Sequence, residues 1–139
     1  ARLLGVPAIA MSQAWVERGV LQWATSKAWL PKAITQLLNH GPLPETAIYN
    51  INVPSISADA ISGVEASRLS MDYKIDIDVD RRIDQREHDY YWIEFTRERA
   101  DEPAGTDLEV LLRGAVSVTP IGLDQTAHGH YETLSEWLD

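Results

Sequence analysis

Tyr73, Ile75, Ile77 and Val79 alternate with Lys74, Asp76, Asp78 and Asp80. Side chains along a strand point to opposite faces in turn, so this spacing predicts a strand with one apolar face and one acidic face. A highly charged stretch, 81–89, follows. Then comes Tyr-Tyr-Trp-Ile-Glu-Phe-Thr at 90–96, a second, aromatic-rich strand. The pair predicts a long hairpin extending from the body. Tyr90, Tyr91, Trp92 and Phe95 on such a hairpin need a surface to cover them, which marks them as expected oligomer-interface residues. The chain has five Trp and five Tyr against one Phe, a bias toward aromatics suited to half-buried positions and interfaces.

The rest of the chain alternates strands and helices. Residues 1–5 read as a last helical turn stopped by Gly5, and Pro7 follows where a helix cannot continue. A helix end with no helix before it suggests that these residues continue a larger fold. Residues 6–11 form a short apolar run, the pattern of a parallel strand buried on both faces. Residues 12–26 read as a connection of uncertain structure. Leu30, Ala33, Ile34, Leu37 and Leu38 fall on one face of a predicted helix over 30–40, with Pro31 in its first turn and Gly41-Pro42 as its stop. At 47–53, Ile51 and Val53 alternate with Asn50 and Asn52, a strand whose Asn side chains need partners. Further strands are predicted over 64–69 and 115–118, the latter ending at Thr119-Pro120. Residues 108–112 are a helix start or a strand lead-in. In a closing helix over 131–138, Tyr131, Leu134, Trp137 and Leu138 share a face. A helix this short is marginal alone and must dock on something.

The formal net charge is −9 and no Lys/Arg cluster exceeds Arg81-Arg82, which excludes a general duplex nucleic-acid binder and an anionic-membrane binder. Without cysteine there are no disulfides or thiolate zinc sites, and a reducing compartment is expected. No apolar run reaches the roughly 18 residues needed to span a bilayer.

The chemical candidates are few. Asp76-x-Asp78-x-Asp80 resembles the start of a calcium loop, but the position that needs glycine is Arg81, so an acidic strand face is the better reading. His128-Gly129-His130 offers two imidazoles without a third ligand. Asp124 and His128, four residues apart, are placed to pair across one helical turn and to hold the linker there. Ser12 lies just past the first strand, where ligands gather at the carboxyl ends of α/β sheets, which makes it a candidate pocket wall. No nucleophile elbow and no glycine-rich phosphate loop is present.

Leu-Gly-Val-Pro-Ala-Ile-Ala-Met-Ser at 4–12, Tyr-Asn-Ile-Asn-Val-Pro at 49–54, Ser67-Arg68-Leu69, Tyr-Tyr-Trp-Ile at 90–93, Gly105-Thr106-Asp107, the run 114–120 and Leu-Asp-Gln-Thr-Ala-His at 123–128 occur in one order. Together they resemble the C-terminal portion of the survival protein SurE family of nucleotidases. The resemblance implies an α/β fold, the C-terminal part of a Rossmann-like core, with a parallel-strand remnant, a helix, a projecting hairpin and a C-terminal helix. It divides the chain into 1–53, the end of the core, and 54–139, a smaller oligomerisation region with hairpin 73–96 and an exchanged tail 124–139.

It also implies a cytoplasmic, metal-dependent phosphatase acting on nucleoside monophosphates, with a divalent ion (Mg or Mn), assembled as a homodimer or homotetramer. The family's metal ligands lie in an Asp-Asp pair, a downstream Ser and a Ser-Gly-Ile-Asn segment, none of which occurs here. No catalytic or metal-binding residue is therefore expected within these residues, which are expected to be inactive alone. What carries over is a pocket wall (Ser12), a hinge (Asp124, His128) and interface residues (Tyr90, Tyr91, Trp92, Phe95, Trp137). Two readings from other classes are a non-catalytic interaction module and an acidic metal-binding module.

Overall fold

The computed structural model describes residues 1–14, 21–71, 75–97 and 102–138, with 75, 76 and 95–97 as backbone only. Among these residues nine regular elements follow one another. They are β1 (Ile9–Gln13), α1 (Trp23–Asn39), β2 (Ala47–Val53), β3 (Val64–Ala66), β4 (Ile75–Ile83), β5 (Asp89–Arg97), α2 (Asp107–Leu112), β6 (Val116–Gly122) and α3 (His128–Leu138). A 3-10 turn, Arg2–Leu4, precedes them. It ends at Gly5 with φ 79°, the left-handed stop expected there.

Four strands form one sheet in the order β1-β2-β6-β3, which runs across position 53. β1 is parallel to β2, β6 is antiparallel to β2, and β3 is parallel to β6. Ile51 and Val53 on β2, with Val116 and Val118 on β6, turn to one face. There they bury against Ala33 of α1 and Ile61, with Ile9, Trp29, Leu30, Ile34 and Leu37 packed at the margin. The other face of the same strands carries Asn50, Asn52, Ser117 and Thr119, as the period of two requires.

Four expectations are corrected. Among the described residues β1 pairs with β2 alone and is exposed at Ala10, Met11 and Ser12, where burial on both faces is expected. An apolar run does not say how many neighbours a strand has. α1 begins at Trp23, so Pro31 lies inside the helix and not in its first turn. The buried stripe starts a turn early, at Thr25 and Ser26, whose hydroxyls are hydrogen-bonded and so escape a purely apolar pattern. Leu38 is exposed, because it lies about 140° around the helix from Ala33 at 3.6 residues per turn.

Finally, β6 runs through Thr119-Pro120 to Gly122. The Val116 amide donates to Gly63 and the Val118 carbonyl accepts from Ser67, so alternate residues of β6 address the β3 side. Pro120 falls in that phase, beyond the last paired residue of β3, where a missing N–H breaks no ladder.

Residues 105–114 resolve into a capped helix. The Glu109 amide donates to Thr106 Oγ1 at 3.3 Å, and Glu109 Oε2 accepts from the Gly105 amide at 3.1 Å. That backbone bond, with Arg113 beside it, holds the Glu109 carboxyl below its ordinary range. α2 leads into Gly114, where φ is 84° and an added Cβ would stand 3.0 Å from Ile56 Cδ1. Gly114→Ala is expected to lose about 1–2 kcal/mol from the left-handed backbone alone, read as a lower urea midpoint.

β4 and β5 form the expected antiparallel hairpin, longer than the alternation implied, reaching Ile83 and Asp89 around residues 84–88. Asp84 Oδ1 accepts from the amides of Arg86 (2.7 Å) and His88 (2.9 Å), which folds the turn. Tyr73 lies outside the described residues. The register pairs Ile77 with Phe95, Val79 with Ile93 and Arg81 with Tyr91, and it pairs Asp78 with Glu94, Asp80 with Trp92 and Arg82 with Tyr90. Directly opposed residues share a face. One face therefore carries the apolar Ile77, Val79, Ile83, Tyr91 and Ile93 with the Arg81–Asp89 ion pair at its turn end, and the other carries Asp78, Asp80, Glu94, Tyr90, Trp92 and Arg82.

Candidate functional site

β1 and α1 enclose an open groove of about 580 Å³ lined by Met11, Ser12, Gln13, Trp23, Ser26, Lys27, Leu30, Pro31 and Ile34. It lies at the carboxyl end of the parallel strand β1, where open α/β sheets bind ligands. Ser12 is in this groove. Its hydroxyl donates to Asn52 Oδ1 on the neighbouring strand, the partner that the alternating Asn pattern of β2 required. Gln13 donates to the carbonyls of Ala14 (3.0 Å), Val53 (3.2 Å) and Pro54 (3.0 Å) and accepts from Ser26 Oγ. Thr25 Oγ1 donates to the Ile56 carbonyl at 2.6 Å and Trp29 Nε1 to the Ala58 carbonyl at 2.9 Å, so the first half of α1 is fastened to the segment after β2.

Chemically the described lining offers hydrogen-bonding groups and apolar surface, and no activated nucleophile. A serine acts as a nucleophile when a base takes its proton, and Ser12 donates instead to a carboxamide, which is not a base. Ser12, Gln13 and Ser26 are neutral and hydrogen-bonded, and among the described residues Lys27 is the one cation in the lining. A hard divalent ion needs several oxygen ligands, carboxylates among them. Among the described residues no group of three or more His, Cys, Asp or Glu is placed to hold a metal. The described lining of the groove does not fit such an ion.

The other candidates lie elsewhere. His128 Nε2 and Asp124 Oδ2 are 2.7 Å apart, the expected pairing, at the entry to α3. Hydrogen bonds from Thr126, and then from His128, hold the Asp124 carboxyl below its ordinary range. Trp137 lies on α3, 77% exposed, along a shallow groove of about 380 Å³ with Thr126, Ala127, His130, Tyr131, Thr133 and Leu134. α3 buries none of its residues against the described chain. Tyr91 stands on the apolar face of the hairpin. Tyr90 and Trp92 stand on the acidic one, with the Arg82 guanidinium 5.4 Å from the Trp92 ring centroid. Phe95 occupies the register position opposite Ile77.

Gln13, Trp23 and Ser26 were missed as groove residues because residues 12–26 read as a connection, and Lys27 because it fell before the predicted helix start at 30. The signal was present in the spacing of Ser26, Trp29, Leu30 and Ala33, which extends the helical stripe backwards once a serine is allowed in it.

An α/β layer with a helix on one face of a largely parallel sheet, opening at a strand's carboxyl end, is part of a Rossmann-like fold. A crystal structure of the SurE protein from Aquifex aeolicus superposes with a TM-score of 0.72 at 28% identity, over 99% of this chain and 54% of that one. The family model described as Survival protein SurE matches residues 1–76. Relatives named 5'-nucleotidase SurE include that of Hyphomonas neptunium, 39% identical over 96% of this chain and 53% of its own. That of Nitrosococcus oceani is 35% identical over 99% and 53%. This chain belongs to the SurE family. It spans about half the length of the curated relatives it matches. Among the described residues no helix is long and apolar enough to cross a membrane.

Proposed function

We propose that these residues are the C-terminal portion of a 5'-nucleotidase, a phosphomonoesterase that releases phosphate from nucleoside monophosphates. The observation that carries the reading is similarity along almost the whole chain to proteins named 5'-nucleotidase SurE. In this reading the described residues contribute the groove wall, with Ser12 turned toward the substrate, and a divalent ion is held by residues outside them. The chemistry of the ion, charge stabilisation on the phosphoryl group, is then not performed here. The hairpin 73–96 and tail 124–139 assemble copies of the chain, and the Asp124–His128 pair acts as the hinge of the tail. A chain without cysteine suits the cytoplasm.

The test is phosphate release from a nucleoside 5'-monophosphate by the full-length protein, with and without Mg²⁺ or Mn²⁺. Metal-dependent release is expected. The 139 residues alone are expected to give none. Absence of release with either ion would leave the non-catalytic interaction module as the better reading.

A further inference from the structure

Gln13 is the most fully engaged side chain of the groove. A carboxamide has two N–H donors and one carbonyl. Here the donors are shared among the carbonyls of Ala14, Val53 and Pro54, and the carbonyl accepts from Ser26. These partners belong to three places: the end of β1, the end of β2 and the first turn of α1. Beside them the Ala14 amide donates to the Val53 carbonyl at 2.8 Å. Val53 and Ser26 are both buried, so their polar groups depend on partners supplied by the chain.

An apolar side chain at 13 would leave the strand ends to their backbone bonds, that of Ala14 to Val53 among them, and free Ser26 from β1. Ser12 on one side of the groove, and Trp23 and Lys27 on the other, would then lose their shared reference point. We propose that Gln13 is a positioning residue for the substrate groove. It acts through the strand ends and Ser26, and it does not touch the reacting atoms. The kinetic part rests on the nucleotidase reading above.

Gln13→Met keeps the length of the side chain and removes its hydrogen bonds; Ser26→Ala detaches only α1. In the full-length protein, with a nucleoside 5'-monophosphate as substrate, Gln13→Met is expected to raise KM about tenfold and leave kcat within about twofold, since a wall shifted by a fraction of an ångström misplaces substrate. The Ala14 amide is expected to exchange at least about tenfold faster once its cross-strand bond opens more often. Ser26→Ala is expected to raise KM less and to leave Ala14 exchange unchanged. A merely structural role would lower Tm in Gln13→Met with KM unmoved, and that result overturns the proposal. If Gln13→Met does not fold, an unmoved KM in Ser26→Ala overturns it. If the unsubstituted protein releases no phosphate, the nucleotidase reading fails. The clamp is then judged by exchange alone, and unchanged Ala14 protection in Gln13→Met ends it.

Discussion

Ile51→Ala is expected to destabilise the fold by about 2–5 kcal/mol, the range for truncating a buried Ile or Leu. Ile51 is fully buried on β2, which lies between β1 and β6, and it faces Ala33 with Val118 opposite in register. Among the described residues the buried apolar cluster holds six, so few neighbours are available to fill the space. Typical domains are stable by about 5–15 kcal/mol, which makes this a large share of the total. The check is a urea midpoint with unchanged slope. A loss below about 1 kcal/mol would show that the site collapses freely, and the packing described for this face would be wrong.

In the proposed assembly through the hairpin, replacing Val79 by Lys together with Ile93 by Glu is expected to give smaller species. The two positions oppose one another in the hairpin register, so opposite charges keep the cross-strand pair attractive while removing its apolar surface. Ile77, Val79, Ile83, Tyr91 and Ile93 are all exposed on one face of an isolated two-stranded sheet. Each contributes about 1.5–3 kcal/mol when fully buried, and a micromolar complex is held by about 8 kcal/mol in all. Light scattering on the full-length protein reads the result. An unchanged mass would show that this face does not carry the assembly. The equivalent change on the other face, Asp78→Asn with Asp80→Asn, is expected to leave the mass unchanged, because carboxylates on facing copies would repel rather than bind.

Much of this was legible in the residues. The clean alternation at 47–53 gave β2 to the residue, because a strand with one buried face writes its period of two directly. The same rule gave the hairpin, but it did not sort the aromatics. Tyr90, Tyr91 and Trp92 are consecutive, so they alternate between faces, and only the register with β4 shows that Tyr91 joins the apolar side. Ser12 was expected just past the first strand, but β1 runs through it to Gln13, and it lines the groove from within the strand's carboxyl end. The clamp beside it has no local signal, since Gln13, Ser26, Val53 and Pro54 meet only after β1, α1 and β2 have packed.

The periods of the sequence alone determined which segments become strands and helices and which of their faces are apolar, because that information lies in neighbours a few positions apart. Tertiary structure decided which strands neighbour one another among the described residues, and so that β1 pairs with β2 and that Pro120 fits inside β6. It also decided which polar side chains 13 to 40 positions apart share hydrogen bonds in the groove. Those outcomes depend on contacts between distant residues, and no local pattern encodes them.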